Sequence, residues 1–152
     1  MFKIMRLVSV IICISTMITS RALAQDRKSV WTVEVIGANG LKNTDWGANK
    51  LSDPFVDIFI FDKQNTTHER TPIISDTLNP QWQYKIRREY APGEMMPMIV
   101  FVVRDHDKLG NRLLGVARLL RPIPGRVYSL DLHKGKIAEY GTELLNAINS
   151  LF

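Results

Sequence analysis

One cysteine, Cys13, stands among 152 residues, so no disulfide within the chain can staple the fold. Histidine is almost as scarce: His68, His106 and His133 are the only three, and none lies in a recognisable catalytic motif. With no nucleophile, base and orienting partner in any familiar pattern, the chain is not expected to be an enzyme. No apolar run reaches the roughly 20 residues that a membrane-crossing helix requires. Internal repeats, low-complexity stretches and linkers are also missing, which leaves one globular domain. Acidic charge is in modest deficit, 15 Asp and Glu against 20 Lys and Arg, for a net +5.

That excess is unevenly placed. Lys3, Arg6 and Arg21 fall in the first 24 residues with no acid among them. Lys3 and Arg6 precede Leu7 to Ile18, twelve mostly apolar residues, and Ala22-Leu23-Ala24 offers the small-x-small pattern of a signal peptidase site. Residues 1–24 therefore read as a signal peptide that is removed, Gln25 as the new N-terminus, and the protein as secreted. The remaining 25–152 carry 17 basic and 15 acidic side chains, a balance that gives no reason to expect nucleic acid as a partner. Cys13 would leave with the signal.

The rest of the chain has the texture of strands. Trp31, Val33 and Val35 alternate with Thr32 and Glu34. Phe55 to Phe61 places Phe55, Asp57, Phe59 and Phe61 on one face and Val56, Ile58 and Ile60 on the other. Thr71 to Ser75, Trp82 to Ile86, Met98 to Arg104, Leu114 to Leu120 and Val127 to Leu132 supply five more, separated by turn signals such as Asn79-Pro80 and Ala91-Pro92-Gly93. Thr142 to Phe152 fits either a strand or a helical stripe of Leu144, Leu145, Ile148 and Leu151. Short strands at this spacing predict an all-β antiparallel sandwich.

Acidic side chains gather at strand ends. Asp45 and Asp53 flank the loop between the first two strands, and Asp105 and Asp107 succeed the most apolar strand with a spacing of two, on one side of an extended chain. Such carboxylates are either solvated turn residues or oxygen ligands for a hard cation such as Ca²⁺. Asn65-Thr66-Thr67 is an N-glycosylation sequon with Asn65 as acceptor.

The order of these pieces resembles a C2 domain. Trp31-Thr-Val-Glu-Val-Ile-Gly-Ala-Asn-Gly-Leu41 is similar to that family's opening strand and turn, and Ser52-Asp53-Pro54-Phe55-Val56 to its S-D-P-[YF]-V segment. Thr77-Leu78-Asn79-Pro80-Gln81-Trp82 resembles T-L-N-P-x-W, and Phe101 to Asp107 with Leu114-Gly115 resembles V-x-D-x-D…L-G. The resemblance implies an eight-stranded antiparallel sandwich whose end loops hold Ca²⁺ and dock on phospholipid. Asp45, Asp53, Asp105 and Asp107 match four of the family's five loop aspartates, with the backbones of Trp46 and His106 as further candidates. At the fifth place stands Arg112, or Asn111 in a shortened loop, so a full multi-ion site is not implied. Trp46, Lys108 and Leu109 at the loop tips are the expected membrane contacts. Gly141-Thr142-Glu143-Leu144-Leu145 resembles the entry to a closing strand, which favours the circularly permuted topology with that strand last. The competing reading is a C2-like protein-interaction domain that has lost Ca²⁺ dependence.

Overall fold

The computed structural model describes residues 9–17, 28–45, 50–62, 65–94, 96 and 98–133. Eight strands succeed one another: β1 (Ser9–Met17), β2 (Ser29–Asn39), β3 (Pro54–Phe61), β4 (Thr66–Arg70), β5 (Gln81–Tyr90), β6 (Met98–Asp105), β7 (Arg112–Leu120) and β8 (Arg126–Asp131). They form two four-stranded sheets, ordered β5-β2-β1-β8 and β4-β3-β6-β7, in which every pairing is antiparallel. The expected all-β antiparallel sandwich is what the chain forms.

The core between the sheets results from period-2 alternation. Val33 and Val35 of β2 and Ile86 of β5 meet Val56, Ile58 and Ile60 of β3 and Ile99, Phe101 and Val103 of β6, all at most 3% exposed. Each such side chain contributes about 2 kcal/mol on leaving water. β3 and β6 are buried on their other face as well, where Phe59, Phe61, Val100, Val102 and Val116 make a second, smaller cluster. Gly115 of β7 is needed by the closure between the sheets. A Cβ there would stand 2.8 Å from the Cβ of Leu132, just past β8.

Two strand assignments differ from expectation. The permuted topology placed its closing strand last, at Thr142–Phe152, which lies outside the described residues. Here the place between β2 and β8 is filled from the N-terminal side, by β1, drawn from the run read as an export signal. Ser9 pairs with Asn39 of β2 and with Asp131 of β8, and Val10, Ile12 and Ile14 are completely buried. The physical reason is that an apolar run satisfies either use: taken two residues at a time, Val10, Ile12 and Ile14 form the inward row of a core strand. Assigning all of Leu7 to Ile18 to the signal left no strand before Trp31. The other correction concerns Thr71–Ser75. The edge strand is instead Thr66–Arg70, which contains two sequon residues, and Asn65 is an exposed residue just before it. Thr71 still binds Val56, its N–H donating to the carbonyl at 3.0 Å and its hydroxyl accepting from the N–H at 2.9 Å. Pro72, which has no N–H, interrupts the pairing, and the Ile74 N–H then donates to the Pro54 carbonyl at 3.1 Å.

The registers also bring the loop aspartates together. Pro54, the first residue of β3, lies opposite Asp105, the last of β6, and Asp105 lies opposite Arg112, the first of β7. The β2–β3 loop therefore opens beside the β6–β7 loop at one end of the sandwich.

Candidate functional site

Asp105 is the anchor of this end. It is completely buried, and both carboxylate oxygens accept hydrogen bonds: Oδ1 from the Asp53 N–H at 2.6 Å and Oδ2 from the Thr44 hydroxyl. Asp53 is tied in by the Asp76 N–H, 2.7 Å from its Oδ1, while its carbonyl accepts from the His106 N–H at 3.0 Å. Asp76 itself adopts a φ of 53°, a conformation that Asp tolerates better than most residues and that aims its N–H at Asp53. Ser52, fully buried, holds the other side of the loop, accepting from the Thr44 N–H at 3.0 Å and donating to the Lys42 carbonyl at 3.2 Å.

Asp107 sits further out. Its Oδ2 pairs with Nη2 of Arg112 at 2.7 Å, and its Oδ1 accepts from the Leu109 N–H at 3.3 Å. Nη1 of Arg112 donates to the Thr44 carbonyl, so this one guanidinium bridges the two loops. Arg112 also lines, with Lys42, Asn43, Thr44 and Asp45, an open depression of about 530 Å³.

Negative charge converges on Asp45. Desolvation first, then the charges of Asp105, Asp53 and Asp107, push its carboxyl above its ordinary range, and Arg112 acts in the opposite sense. All four expected carboxylates thus share one electrostatic neighbourhood, although among the described residues no three metal-ligating side chains stand in a ready-made cluster. The reason is visible in the hydrogen bonds. Asp105 and Asp107 are turned onto N–H, hydroxyl and guanidinium donors, which do here what a cation would do. Oxygen donors of this kind, with no thiol or imidazole among the four side chains, suit a hard divalent ion.

The other expected residues lie around this centre. His106 is exposed, and its Nδ1 lies 3.1 Å from Oδ1 of Asn111, so both are engaged with each other beside the site. Lys108 is exposed and Leu109 is 96% exposed at the tip of the β6–β7 loop. Trp46 lies outside the described residues. Sequence reasoning missed Thr44, Ser52 and Asp76; the Ser and Thr could have been suspected as loop-bracing hydroxyls, and Asp76, which donates its N–H to Asp53 and accepts from the Leu51 N–H at 3.4 Å, as a turn aspartate.

Away from the loops, a second ionic cluster lies on the outer side of β3. Asp57, completely buried, meets Nε of Arg70 at 2.7 Å, Nε2 of His68 at 2.8 Å and Nε of Arg104 at 3.2 Å. Arg70 also rests 4.8 Å from the Phe55 ring centre and His68 stacks on Phe59. Both arginines are thereby committed to Asp57.

A family model described as "C2 domain" matches residues 29–127. The chain belongs to the C2 domain family. Among solved structures, the first C2 domain (A) of RIM from Drosophila is similar with a TM-score of 0.63 at 14% identity, over 84% of this chain and 98% of that one. The corresponding domain of RIM2 is similar at 0.58 and 14%, over 83% and 97%. Calcium-bound extended synaptotagmin 2, with both its A and B C2 domains, is similar at 0.51 and 16%, over 68% of this chain and 43% of that one. At such identities the structural likeness speaks to the fold. Membership in the family makes this C2 domain a binding or interaction module, consistent with the lack of any catalytic constellation in the sequence.

Proposed function

We propose that this C2 domain is a secreted, Ca²⁺-dependent phospholipid-binding module. The observation that carries the reading is the convergence of Asp45, Asp53, Asp105 and Asp107 on one end of the sandwich, next to a loop tip that presents Leu109 almost fully to water. Asp45, Asp53 and Asp107 would hold the ion, with Asp105 bracing the loops around it and backbone oxygens of Trp46 and His106 completing the set. Bound Ca²⁺ supplies the positive charge that offsets these carboxylates and attracts lipid phosphate. The chain's own part is to present the apolar tips, Leu109 and Trp46, with Lys108 between water and headgroup. Export rests on Lys3, Arg6, the apolar run and Ala22-Leu23-Ala24, and glycosylation at Asn65 occurs where the secretory route provides it.

A second reading, a Ca²⁺-independent protein-interaction domain, is favoured by one observation: the Arg112–Asp107 ion pair already supplies a cation to the site. Sedimentation with vesicles containing anionic phospholipid separates the two. Binding that appears with Ca²⁺ and disappears on chelation supports the lipid module, and binding indifferent to Ca²⁺, or none, rejects it.

A further inference from the structure

Between Asp107 and Asp131 the chain carries five basic residues, Lys108, Arg112, Arg118, Arg121 and Arg126, and no acid. β7 runs from Arg112, opposite Asp105, to Leu120, opposite Met98, so the turn into β8 lies at the end of the sandwich away from the aspartate loops. At about 3.3 Å per residue the two ends stand about 26 Å apart, some three Debye lengths at physiological salt. In this turn Leu120, Ile123 and Val127 are 56%, 49% and 62% exposed, and Arg121 and Arg126 are exposed among them. Neither of these two arginines forms an ion pair among the described residues. The described acids at this end have partners of their own. Glu89 lies 3.9 Å from both Lys28 and Arg87, Asp62 accepts from the Tyr90 hydroxyl at 2.7 Å, and Glu94 accepts from the Ala91 N–H at 3.1 Å.

We propose that the β7–β8 turn is a second lipid-facing surface, which docks on an anionic bilayer without Ca²⁺; it goes beyond the loop reading and does not depend on it. The turn is shaped in advance. Arg121 adopts a φ of 46°, in the left-handed region that residues other than glycine rarely enter, and Gly125 one of 75°. Pro122 is buried, and the Ile123 N–H donates to the Tyr128 hydroxyl at 2.8 Å, which ties the tip to β8. Little conformational freedom is therefore lost on docking. Each guanidinium offers a planar fork of donors that matches a phosphate, and the aliphatic side chains between them reach the boundary of headgroup and acyl chain. Charge complementarity selects an anionic surface. A stable protein partner would need about 20–30 residues on each side, whereas Leu120–Val127 is eight residues long. A bilayer sets no such requirement of matching shape.

Two charges are too few to hold the domain on a membrane at physiological salt, so the contact is read at low ionic strength, where screening is weak. The full-length protein is sedimented, with a chelator present, against vesicles of phosphatidylserine and phosphatidylcholine in equal parts. Native protein should bind these and not vesicles of phosphatidylcholine alone. Each basic residue near an anionic surface strengthens binding about fivefold. The double variant Arg121→Gln/Arg126→Gln should therefore bind about 25-fold more weakly, and Ile123→Asp should also weaken binding. The double variant should keep the native melting temperature and its shift with Ca²⁺, which shows that only the distal contact was removed. Native-like sedimentation of the double variant overturns the proposal, as does a native protein that ignores the anionic vesicles. Displacement by soluble glycerophosphoserine at headgroup-equivalent concentration overturns it too, in favour of an isolated phosphate ligand. A native protein that binds in chelator through these residues but gains nothing from Ca²⁺ upholds this inference and rejects the Ca²⁺-dependent reading of the loops.

Discussion

Arg112 makes opposite predictions for the ion-free and the ion-bound protein, and replacing it with glutamine tests the site directly. Its guanidinium pairs with Asp107 at 2.7 Å, with side chains 40% and 21% exposed, so water partly screens the pair. An ion pair of this exposure is worth about 0.5–1 kcal/mol. Arg112→Gln should therefore lower the melting temperature without Ca²⁺ by about 1–4 °C, at 2–4 °C per kcal/mol for a domain of this size. The same change frees an Asp107 oxygen and removes a positive charge from the depression. For a native affinity of about 1 mM, 10 mM Ca²⁺ stabilises by about 1.4 kcal/mol. Relief of charge competition worth about 1.4 kcal/mol tightens binding about tenfold, and the stabilisation at 10 mM rises to about 2.7 kcal/mol. Differential scanning fluorimetry across a Ca²⁺ series reads both quantities. Arg112→Lys, which keeps the charge, should behave like the native protein. A Ca²⁺-dependent increment in Arg112→Gln no larger than the native one would refute the view that this guanidinium stands in for a cation.

Three further outcomes are expected from other parts of the structure. Leu109→Asp should leave the Ca²⁺-dependent melting shift intact but weaken vesicle binding about tenfold or more, since a buried leucine side chain contributes about 1.5–3 kcal/mol; unchanged sedimentation would move the membrane contact away from this loop. Asp57→Asn leaves the buried Arg104 without its carboxylate partner and should cost about 3–5 kcal/mol in urea unfolding; a loss under about 1 kcal/mol would contradict the ionic cluster as drawn. Because the Asp45 carboxyl is raised, it favours folding while protonated, and that contribution is lost as pH rises through its folded value. Asp45→Asn should thus raise stability at pH 7 without Ca²⁺ and weaken Ca²⁺ binding, with the native affinity falling as pH drops toward the raised carboxyl. A variant that lowers ion-free stability at pH 7 would rule out the crowding of like charge at Asp45.

Much of the sandwich was legible because its core strands carry period-2 apolar rows. Trp31–Val35, Phe55–Phe61 and Met98–Arg104 announced β2, β3 and β6, and the spacing of Asp45, Asp53, Asp105 and Asp107 marked the end where the loops meet. β4 was not legible. Thr66–Arg70 has no apolar residue and is a strand because β3 supplies its ladder and Asp57 binds His68 and Arg70. Arg112 was visible as an oddity at the fifth ligand place, but its reach to both Asp107 and the Thr44 carbonyl depends on loop geometry that spacing does not encode. Ser9–Met17 shows a different limit. Export machinery and a protein core both select apolar residues, so composition alone could not separate the two uses.

The pairing of Ser9 with Asp131 also sets a clock on synthesis. At about 5–20 residues per second, the partner β8 is not made until roughly 6–25 s after the N-terminus appears. During that interval Ser9–Met17 can pair only with β2, and an isolated two-stranded hairpin is marginal in water. Val10, Ile12 and Ile14 therefore stay outside a closed core for most of translation. The central strand of one sheet is the last to be enclosed on both sides although it is the first to be made.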